Sequence, residues 1–577
     1  MIPDRPGKDE RLGKPFLFAT AFFTLVWFAL LFGRPLFDPD EGRYAEIPRE
    51  MLVGGDWVIP HLNGLVYLEK PTLQYWATAI VYAGRGISEG TARLATGCAG
   101  YVTLVFVFLL ARRLWGLRAA VEALLLTLGS ILFVLLGHQL TLDMSLTACL
   151  FGCLTAFVYA QTQREEPSAC RAWMTLSWAA MALAVLTKGL IGVLIPGFSL
   201  VVYTLWQRDF PLWRHLHLAI GIPVFLGLAA PWFVLAARAN DRFLWFFFVR
   251  EHWQRFLTPI EMRSQPGWFF VPVLVLGVLP WISQALRVLV TGWRRSEPAG
   301  RFDPRRLLWI WSVFVLAFFS ASHSKLIPYI LPAIPTLALL VAAPRPGHDR
   351  GHLLTGAWLT LCFALGVLGF ASGWRSSAGG LALLQLLRPA LLATAVVLLA
   401  AGALSLRLRA QRRPMGALAA LCLGWFAAAV TITGGGFAVE GLYSAKDAAA
   451  AIARVATPDA PVFTVQDYYQ SLPFYLRHPV TLVDYHDEFS FGLEQAPQLG
   501  IPDLATFATR WQELPAGYAL MTDATRERLA TGASPTGVSG TGAAATRASG
   551  TDAAATGDFP MRVLANFPAR VVLVSRR

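Results

Sequence analysis

The feature that most constrains this chain is the recurrence of apolar runs long enough to cross a lipid bilayer. Of the 577 residues, 55% are hydrophobic and only 15% are charged, and the mean hydropathy is +0.51. About 20 apolar residues in a helix span the hydrocarbon core, and a helix satisfies all of its own backbone hydrogen bonds there. The sequence therefore predicts a polytopic α-helical membrane protein and not a large soluble enzyme.

The apolar runs predict about 13 transmembrane helices. Their approximate bounds are 15–35, 93–111, 119–137, 142–160, 172–187, 189–206, 216–237, 268–288, 306–321, 326–343, 353–371, 385–404 and 415–434. The first run is of spanning length and lacks a convincing small-residue cleavage site, which favours a retained anchor. The run 72–84 is about 13 residues long, too short for a regular span, and we expect an interfacial or re-entrant helix there.

Basic residues in the links between apolar runs orient the predicted helices. Arginine and lysine recur in segment 1–14 and in the link 112–118, which the positive-inside rule places in the cytoplasm. An odd number of spans then puts the first loop, 36–92, and the C-terminal residues on the opposite, outer face. The net charge of +13 is explained by these links, and no nucleic-acid-binding motif accompanies it.

The division between a transmembrane domain, 1–436, and a soluble domain, 437–577, follows from where the apolar runs end. The second part predicts a small α/β domain with alternating strands and helices. Its predicted strands are 461–465, 480–483, 518–521 and 571–574, with helices near 469–477 and 503–513. Residues 531–557 are low-complexity Gly, Ala, Ser and Thr and predict a loop. The six cysteines lie in or beside apolar runs, which favours neither a disulfide framework nor a Cys-x-x-Cys metal site.

Residues 36–76 form the one long polar interval in the first third of the chain. Its ionisable residues are Asp38, Asp40, Glu41, Arg43, Glu46, Arg49, Glu50, Asp56, Glu69 and Lys70. Such groups next to a membrane are costly unless they are paired or hydrated, and they indicate function by default. The alternative is a solvated interfacial helix with ion pairs three or four residues apart.

Isolated polar residues fall in other links of the predicted outer face. They are Asp143, Lys188, Arg250, Glu251, His252, Arg255, His323, Lys325 and Tyr329. For a single lysine such as Lys188 or Lys325, a side chain that reaches the lipid headgroups is the simpler interpretation. That interpretation suits Asp143 less well, because a short carboxylate side chain cannot reach far.

The charged interval also carries a family resemblance. Its motifs are Asp-Glu-x-Arg-Tyr-Ala-Glu-Ile-x-Arg-Glu-Met-Leu at 40–52, Gly-Asp-Trp at 55–57, Pro-x-Leu-Asn-Gly at 60–64, Tyr-x-Glu-Lys-Pro at 67–71 and Tyr-Trp at 75–76. Together they resemble the first periplasmic loop of the bacterial aminoarabinose–lipid A transferases. Those enzymes belong to the GT-C-type glycosyltransferases that use polyprenyl-phosphate sugars, a group that includes the protein O-mannosyltransferases. Segments around Lys188, at 251–256 and at 322–332 are similar as well.

The resemblance implies a glycosyltransferase of the bacterial inner membrane. The expected reaction moves 4-amino-4-deoxy-L-arabinose from undecaprenyl phosphate to a lipid A phosphate on the periplasmic face, with inversion. It modifies lipopolysaccharide and gives resistance to cationic antimicrobial peptides such as polymyxin. A relative that glycosylates protein Ser or Thr, or another glycolipid, remains the alternative. A transporter is disfavoured, because we find no internal repeat and the polar residues gather at one face.

The resemblance also assigns roles to single residues. Asp40 would be the general base for a hydroxyl acceptor; for a phosphate acceptor, it would orient the acceptor or stabilise the oxocarbenium-like centre. The donor phosphate becomes the leaving group and calls for cationic and hydrogen-bonding side chains. The candidates for this role are Arg43, Lys70, Arg255, Lys325 and Tyr329.

An aminoarabinose donor also carries an ammonium group, for which Glu69 and Asp143 are the candidate partners, while Tyr67 and Lys188 complete the predicted substrate-binding set. No cofactor is required by this chemistry. A divalent metal at the Asp-x-Asp of 38–40, or zinc on Glu69 and His252, is an open alternative. Two protein ligands would leave such a zinc site incomplete.

Overall fold

The structure of the chain is a computed structural model, which describes residues 14–255, 265–294, 297–344, 351–373, 378–457, 460–531, 560–567 and 571–576. Residue contacts divide the chain into two compact units. We call Met1–Arg34, Met51–Pro60 and Leu68–Val439 the helical unit. Pro35–Glu50, His61–Tyr67 and Glu440–Arg577 form the C-terminal unit. The predicted division at 436/437 assigned the whole first loop to the membrane part, whereas two of its segments group with the C-terminal residues.

Helices dominate the first 435 residues. Their bounds are Lys14–Ala29, Asp40–Gly54, Leu73–Arg85, Glu89–Leu128, Ile131–Gly137, Leu142–Gln161, Pro167–Lys188, Ile191–Gln207, Leu218–Ala239, Trp245–Gln254, Phe270–Gly277, Ile282–Thr291, Pro304–Ala321, Ile334–Ala342, Gly351–Ala371, Ala378–Ala410 and Pro414–Gly435. Short 3₁₀ turns lie at Phe210–Leu216, Leu279–Trp281 and Ile327–Ala333.

Among the described residues, eight helices are long and apolar enough to cross a membrane, or nine if one bent pair is a single span. Three shorter apolar helices, Phe18–Ala29, Ile191–Gln207 and Ile327–Ala342, accompany them. The protein is therefore a multi-pass α-helical membrane protein, as the hydropathy predicts, whereas the predicted number of about 13 spans is not confirmed. Residues 72–84 form the predicted short helix, Leu73–Arg85, which is not among the spans; its interfacial position stays a prediction.

Two predicted spans differ from the observed helices because proline and glycine act locally. The predicted helices 93–111 and 119–137 are separated, as predicted, by a turn at Gly116, which has φ of +85° inside Glu89–Leu128; the second of them ends at Leu128, and Ile131–Gly137 is a separate helix. Glycine permits this turn because it has no Cβ. The predicted span 268–288 is instead two helices bent by 84°. Pro280 lies at the bend, where it cannot donate a backbone hydrogen bond.

Tight packing around Trp27 joins the first helix to its neighbours. The Trp27 indole donates to the carbonyl of Gly97 at 2.9 Å. A Cβ at Gly100 or Gly137 would lie within 2.8 Å of the Trp27 ring. Small residues therefore allow the backbones to approach this ring closely, as is common between membrane helices.

The C-terminal unit is built on a six-stranded sheet and a small hairpin. The hairpin pairs β1 (His61–Leu62) with β2 (Leu65–Val66). The sheet contains β3 (Val462–Val465), β4 (Thr481–Val483), β5 (Gly500–Ile501), β6 (Tyr518–Thr522), β7 (Arg562–Phe567) and β8 (Val571–Ser575). The strand order is β5-β4-β3-β6-β8-β7, in which β3 pairs in parallel with β4 and β6, and β8 pairs antiparallel with β6 and β7.

The predicted α/β domain is confirmed, with each of its four predicted strands present. Strands β5 and β7 were not predicted, because β5 has only two residues and β7 follows the low-complexity segment. Helices Leu472–Leu476 and Leu504–Glu513 correspond to the two predicted helices, and short helices also lie at Lys446–Val455, Ser490–Gln495 and Asp523–Thr531. Residues 532–557 of the predicted low-complexity loop lie outside the described residues. All six cysteines are free.

Asn63 attaches the hairpin to the C-terminal residues. Its side-chain amide donates to the carbonyl of Val480 and its oxygen accepts from the Val480 amide, both at 2.7 Å. Asn63 is 4% exposed and has φ of +55°, a left-handed conformation that asparagine adopts more readily than most residues. One side chain thus satisfies two buried backbone groups.

We predict that Asn63→Ala lowers the stability of the C-terminal unit, because each buried group of Val480 left unpaired costs about 1–3 kcal/mol. Asn63→Gly separates the two causes of the loss. Glycine tolerates the positive φ, so this variant loses the hydrogen bonds without adding backbone strain. Thermal unfolding and limited proteolysis of the purified chain measure the effect. A melting temperature unchanged in both variants would contradict this role of Asn63.

Candidate active site

Asp40 begins the helix Asp40–Gly54 and lies one turn from Arg43, its ion-pair partner. The Arg43 Nη1 atom is 3.3 Å from the Asp40 carboxylate, and Nη2 is 2.7 Å from the carboxylate of Glu488. The Asp40 side chain is 40% exposed, whereas those of Arg43 and Glu488 are 8% and 9% exposed. Arg43 is therefore buried between two carboxylates, of which only Asp40 is open to a ligand.

Asp38 is held by the C-terminal domain. Its two carboxylate oxygens accept hydrogen bonds from the backbone amide of Ser471 at 2.6 Å and from the Ser471 hydroxyl at 2.9 Å. Burial raises the pKa of Asp38 to about 7, although these hydrogen bonds oppose the rise. Because both oxygens of Asp38 are engaged with Ser471, the Asp-x-Asp pair does not present two carboxylates to a common metal ion.

The same helix contains the ion pair that the alternative interpretation expected. Arg49 donates two hydrogen bonds of 2.6 Å to the carboxylate of Glu46, three residues earlier, and both side chains are buried. Burial and the nearby Glu46 raise the pKa of Glu50 to about 8. Tyr67, 2% exposed, interacts electrostatically with Arg43. Glu46 and Arg49 are thus structural, while Asp40 is exposed on the same helix.

In the helical unit, four residues form a compact network of two cations and two carboxylates. Arg255 Nη1 lies 2.8 Å from Glu251 and 3.8 Å from Glu69, and Lys70 Nζ lies 3.4 Å from Glu251 and 3.7 Å from Glu69. Their side chains are 5–14% exposed. Three of the four, Glu69, Lys70 and Arg255, are predicted site residues. The network is electrically balanced, so each charge is paired although the groups are largely removed from water.

Asp143, Lys188 and Tyr329 form a second group in the helical unit. The Lys188 Nζ atom is 2.5 Å from the Asp143 carboxylate and 4.7 Å from the centroid of the Tyr329 ring. The ammonium is therefore held by an ion pair and by a cation–π contact. Asp143 is in the first turn of helix Leu142–Gln161, and Lys188 ends helix Pro167–Lys188. The sequence predicted all three as site residues, and the structure brings them together.

His252 joins these two groups of the helical unit. Its Nε2 atom accepts from the amide of Leu190 at 3.3 Å, and its Nδ1 atom donates to the carbonyl of Phe247 at 2.6 Å. Burial lowers the pKa of His252 to about 4, so the ring is neutral near pH 7. A Cβ on Gly189, which has φ of +78°, would lie 2.4 Å from Nε2. Glycine at 189 therefore allows His252 to pack beside Lys188.

The pair predicted to hold zinc, Glu69 and His252, has other partners in this arrangement. Both ring nitrogens of His252 are engaged with backbone groups, so neither has a free lone pair for a metal. The described residues contain no cluster of three or more His, Cys, Asp or Glu side chains that could hold a metal ion. A bound metal would have to displace the Leu190 amide, and a metal requirement stays a prediction.

Lys325 is placed differently from the other predicted cations. Its ammonium donates to the backbone carbonyl of Ser322 and, at 2.9 Å, to that of Gln265. Across the described ranges no carboxylate lies within ion-pair distance of it. Lys325 thus binds carbonyls near the end of helix Pro304–Ala321, the ordinary structural use of a lysine at a helix C-terminus. Its role in binding a phosphate stays a prediction.

Sequence reasoning missed Ser471 and Glu488 as partners of the charged loop, and it noted Glu251 without assigning it a role. Glu488 lies in the acidic segment Asp484-Tyr-His-Asp-Glu that follows β4. Residues at the carboxyl ends of parallel strands are common site positions, and this was the available signal. Nothing in the local sequence pairs these residues with a loop more than 400 positions earlier, as in the Asp38–Ser471 contact at a separation of 433.

Two family models and a solved structure match this chain. The Aminoarabinose transferase C-terminal domain family matches residues 448–545, and the Dolichyl-phosphate-mannose-protein mannosyltransferase family matches residues 69–234. A solved structure, ArnT from Cupriavidus metallidurans bound to undecaprenyl phosphate, superposes with a TM-score of 0.84 at 34% identity and covers 97% of each chain.

Curated relatives are similar to this chain over part of their length. Two enzymes named undecaprenyl phosphate-alpha-4-amino-4-deoxy-L-arabinose arabinosyl transferase are similar, from Sodalis glossinidius at 35% identity and from Pectobacterium carotovorum at 36%. The matches cover 56% and 59% of this chain, and the chain spans 57% and 62% of the length of those relatives.

The raised pKa of Asp38 predicts a pH-dependent stability. The folded-state pKa of Asp38 is about 7, against an ordinary value of 3.8. The contribution of Asp38 to the free energy of unfolding is therefore fully present below about pH 4 and is lost as the pH rises through 7. Asp38→Asn keeps an acceptor and a donor for Ser471 but does not titrate. We expect the melting temperature of the variant to fall by several degrees less than that of the parent between pH 5 and pH 8. The same change of melting temperature with pH in the parent and in Asp38→Asn would show that Asp38 does not cause the pH dependence.

The Asp143–Lys188 pair predicts strong coupling between two substitutions. Lys188→Met leaves a largely buried carboxylate unpaired, and removing one partner of a buried pair costs up to about 3–5 kcal/mol. Adding Asp143→Asn removes that charge, so the double variant should be more stable than Lys188→Met alone. A double-mutant cycle on thermal unfolding measures the coupling. Additive effects would show that the two residues do not stabilise each other.

Proposed function

Because the chain belongs to the aminoarabinose transferase family, we propose that it transfers 4-amino-4-deoxy-L-arabinose from undecaprenyl phosphate to a phosphate group of lipid A. The relatives' names specify this sugar and this carrier, and the similar solved structure is described as bound to undecaprenyl phosphate. The sequence resemblance supplies lipid A as the acceptor. The proposed enzyme is a glycosyltransferase that uses a lipid-linked sugar, with no nucleotide sugar in the reaction.

The observation that carries the proposal is the balanced network of Glu69, Lys70, Glu251 and Arg255. A simple anion entering this network would compete with two carboxylates for the same cations and leave negative charges unpaired. A zwitterionic sugar phosphate brings one charge of each sign. Its phosphate can bind Lys70 and Arg255 while its ammonium binds a released carboxylate, so no buried charge loses its partner.

The remaining predicted residues take roles that suit their surroundings. Asp143 and Lys188 form a second exchangeable ion pair, and the hydroxyl group of Tyr329 is a neutral donor near them. Asp40 is an exposed carboxylate beside a buried arginine. A lipid A phosphate is already ionised, so Asp40 need not remove a proton from it. We propose that Asp40 orients the acceptor and stabilises positive charge at the anomeric carbon, and that attack opposite the leaving phosphate inverts the configuration.

The proposed location is the bacterial inner membrane, with the transfer on its periplasmic face. The support is the concentration of arginine and lysine in alternate links of the chain, which assigns those links to the cytoplasm. Adding an ammonium sugar to a lipid A phosphate would lower the negative charge of the outer surface. Cationic antimicrobial peptides such as polymyxin would then be attracted less strongly.

A protein hydroxyl acceptor is the second candidate, favoured by the match of residues 69–234 to the protein mannosyltransferases. A Ser or Thr hydroxyl needs its proton removed, and the exposed Asp40 would be the general base. The two candidates share a donor class and differ in the acceptor.

The test is the mass of lipid A from bacteria that make the donor but lack their own transferase. We expect cells with the parent chain to add the mass of aminoarabinose to lipid A. Asp40→Asn at matched membrane levels should lower the yield at least about 100-fold, the usual effect of losing a group that stabilises charge in the transition state. Glu513→Gln, an exposed glutamate of the C-terminal domain, is the control and should match the parent.

An unmodified lipid A from well-expressed parent chain would contradict the acceptor and favour the protein or glycolipid alternative. Full modification by Asp40→Asn would leave the function intact but remove Asp40 from its centre. These outcomes separate the reaction from the residue.

A further inference from the structure

We propose that Glu488 of the C-terminal domain is a positioning residue for the transfer reaction. It holds Arg43 and so leaves the Asp40 carboxylate exposed and accessible to substrate. The inference rests on the proposed function, in which Asp40 is the central carboxylate. It adds a role for the C-terminal domain, because Glu488 acts on the chemistry through the arginine that it binds.

The contacts of Arg43 are unequal, and the closer one is made by Glu488. The Arg43–Glu488 distance of 2.7 Å is that of a close ion pair. The Arg43–Asp40 distance of 3.3 Å is longer, and Asp40 is the more exposed partner. Electrostatic attraction is stronger where water is excluded. Glu488 therefore compensates the buried charge of Arg43 more strongly than Asp40 does.

Glu488 is itself fixed in place from several sides. The side-chain amide of Gln470 donates to its second carboxylate oxygen. The next residue, Phe489, is 2% exposed and packs edge-on against Tyr468, with the ring centroids 4.8 Å apart. Glu488 and Phe489 belong to the short turn Asp487–Phe489, which follows β4 of the sheet. The sheet thus sets the position of the carboxylate to which Arg43 binds.

Removing the charge of Glu488 changes the competition for Arg43. The arginine would keep Asp40 as its ion-pair partner and would shorten that contact, because the two oxygens of Asp38 are engaged with Ser471. Two changes then make the surroundings of Arg43 more positive: the shorter contact between the cation and Asp40, and the loss of the negative charge of Glu488. Asp40 would also turn toward Arg43 and away from a ligand. The account therefore predicts a loss of turnover with a change in pH dependence.

The experiment compares Glu488→Gln with the parent, using the purified full-length chain, undecaprenyl-phosphate-linked aminoarabinose and lipid A. We expect kcat to fall about ten- to a hundredfold, as for small misplacements of catalytic groups, with KM changed by less than about threefold. The acidic limb of the kcat–pH profile should move to lower pH, because the surroundings of the site become more positive when the charge of Glu488 is removed. A residue that only stabilised the fold would lower the active fraction without moving this limb.

Two further variants keep the test decisive. Glu488→Asp retains the charge with a shorter reach, so it should recover part of kcat and return the acidic limb toward the parental pH. Glu513→Gln, an exposed glutamate of the same domain, should keep the parental kcat and profile. If Glu488→Gln does not fold, as judged by size-exclusion chromatography, then Glu488→Asp decides through its own kcat and pH profile.

Parental kcat and an unmoved acidic limb in a folded Glu488 variant would overturn the inference. An equal loss in Glu488→Asp and Glu488→Gln with an unmoved limb would overturn it as well. An inactive parent chain would instead contradict the proposed function, so the two failures are distinguishable.

Discussion

Both units of this protein depend on one constraint: a buried charge needs a partner. Charges removed from water are costly unless a partner and hydrogen bonds replace the lost hydration. In the C-terminal unit Arg43 lies against Glu488, and in the helical unit Lys188 lies against Asp143. The charges of Glu69, Lys70, Glu251 and Arg255 also balance each other. The polar residues of this apolar chain are thus placed by pairing, and the same pairing gives them their chemistry.

Paired charges are suited to a substrate that carries both signs. An ion pair can open when a ligand supplies replacement partners for both of its members, whereas a lone cation would bind phosphates of any kind. A zwitterionic sugar phosphate can supply both replacement partners to the ion pairs of the helical unit. In the C-terminal unit the unequal sharing of Arg43 leaves Asp40, the less buried carboxylate, available for a reaction. In both units, internal partners and ligands compete for the same charged side chains.

The sequence predicted the fold class and the α/β domain, because hydropathy and strand patterns are local properties. Glu69, Lys70 and Arg255 were named as site candidates only through the family resemblance, since no local pattern relates residues so far apart in the chain. It could not place Lys325, whose ammonium binds backbone carbonyls that no pattern of residue types reveals. It also missed Glu488, since a contact with a residue hundreds of positions earlier depends on the tertiary fold. The interruption of the predicted helix 119–137 after Leu128 was missed, because hydropathy does not register a short turn inside an apolar run.

The most direct test of the account is a transfer assay with the purified chain, donor made by linking aminoarabinose to undecaprenyl phosphate, and lipid A in detergent. Product mass and the anomeric configuration by nuclear magnetic resonance would be measured together. The account predicts one undecaprenyl phosphate released for each sugar transferred, inverted configuration in the product, and no requirement for a nucleotide sugar. Release of free sugar without modified lipid A, or retained configuration, would contradict it.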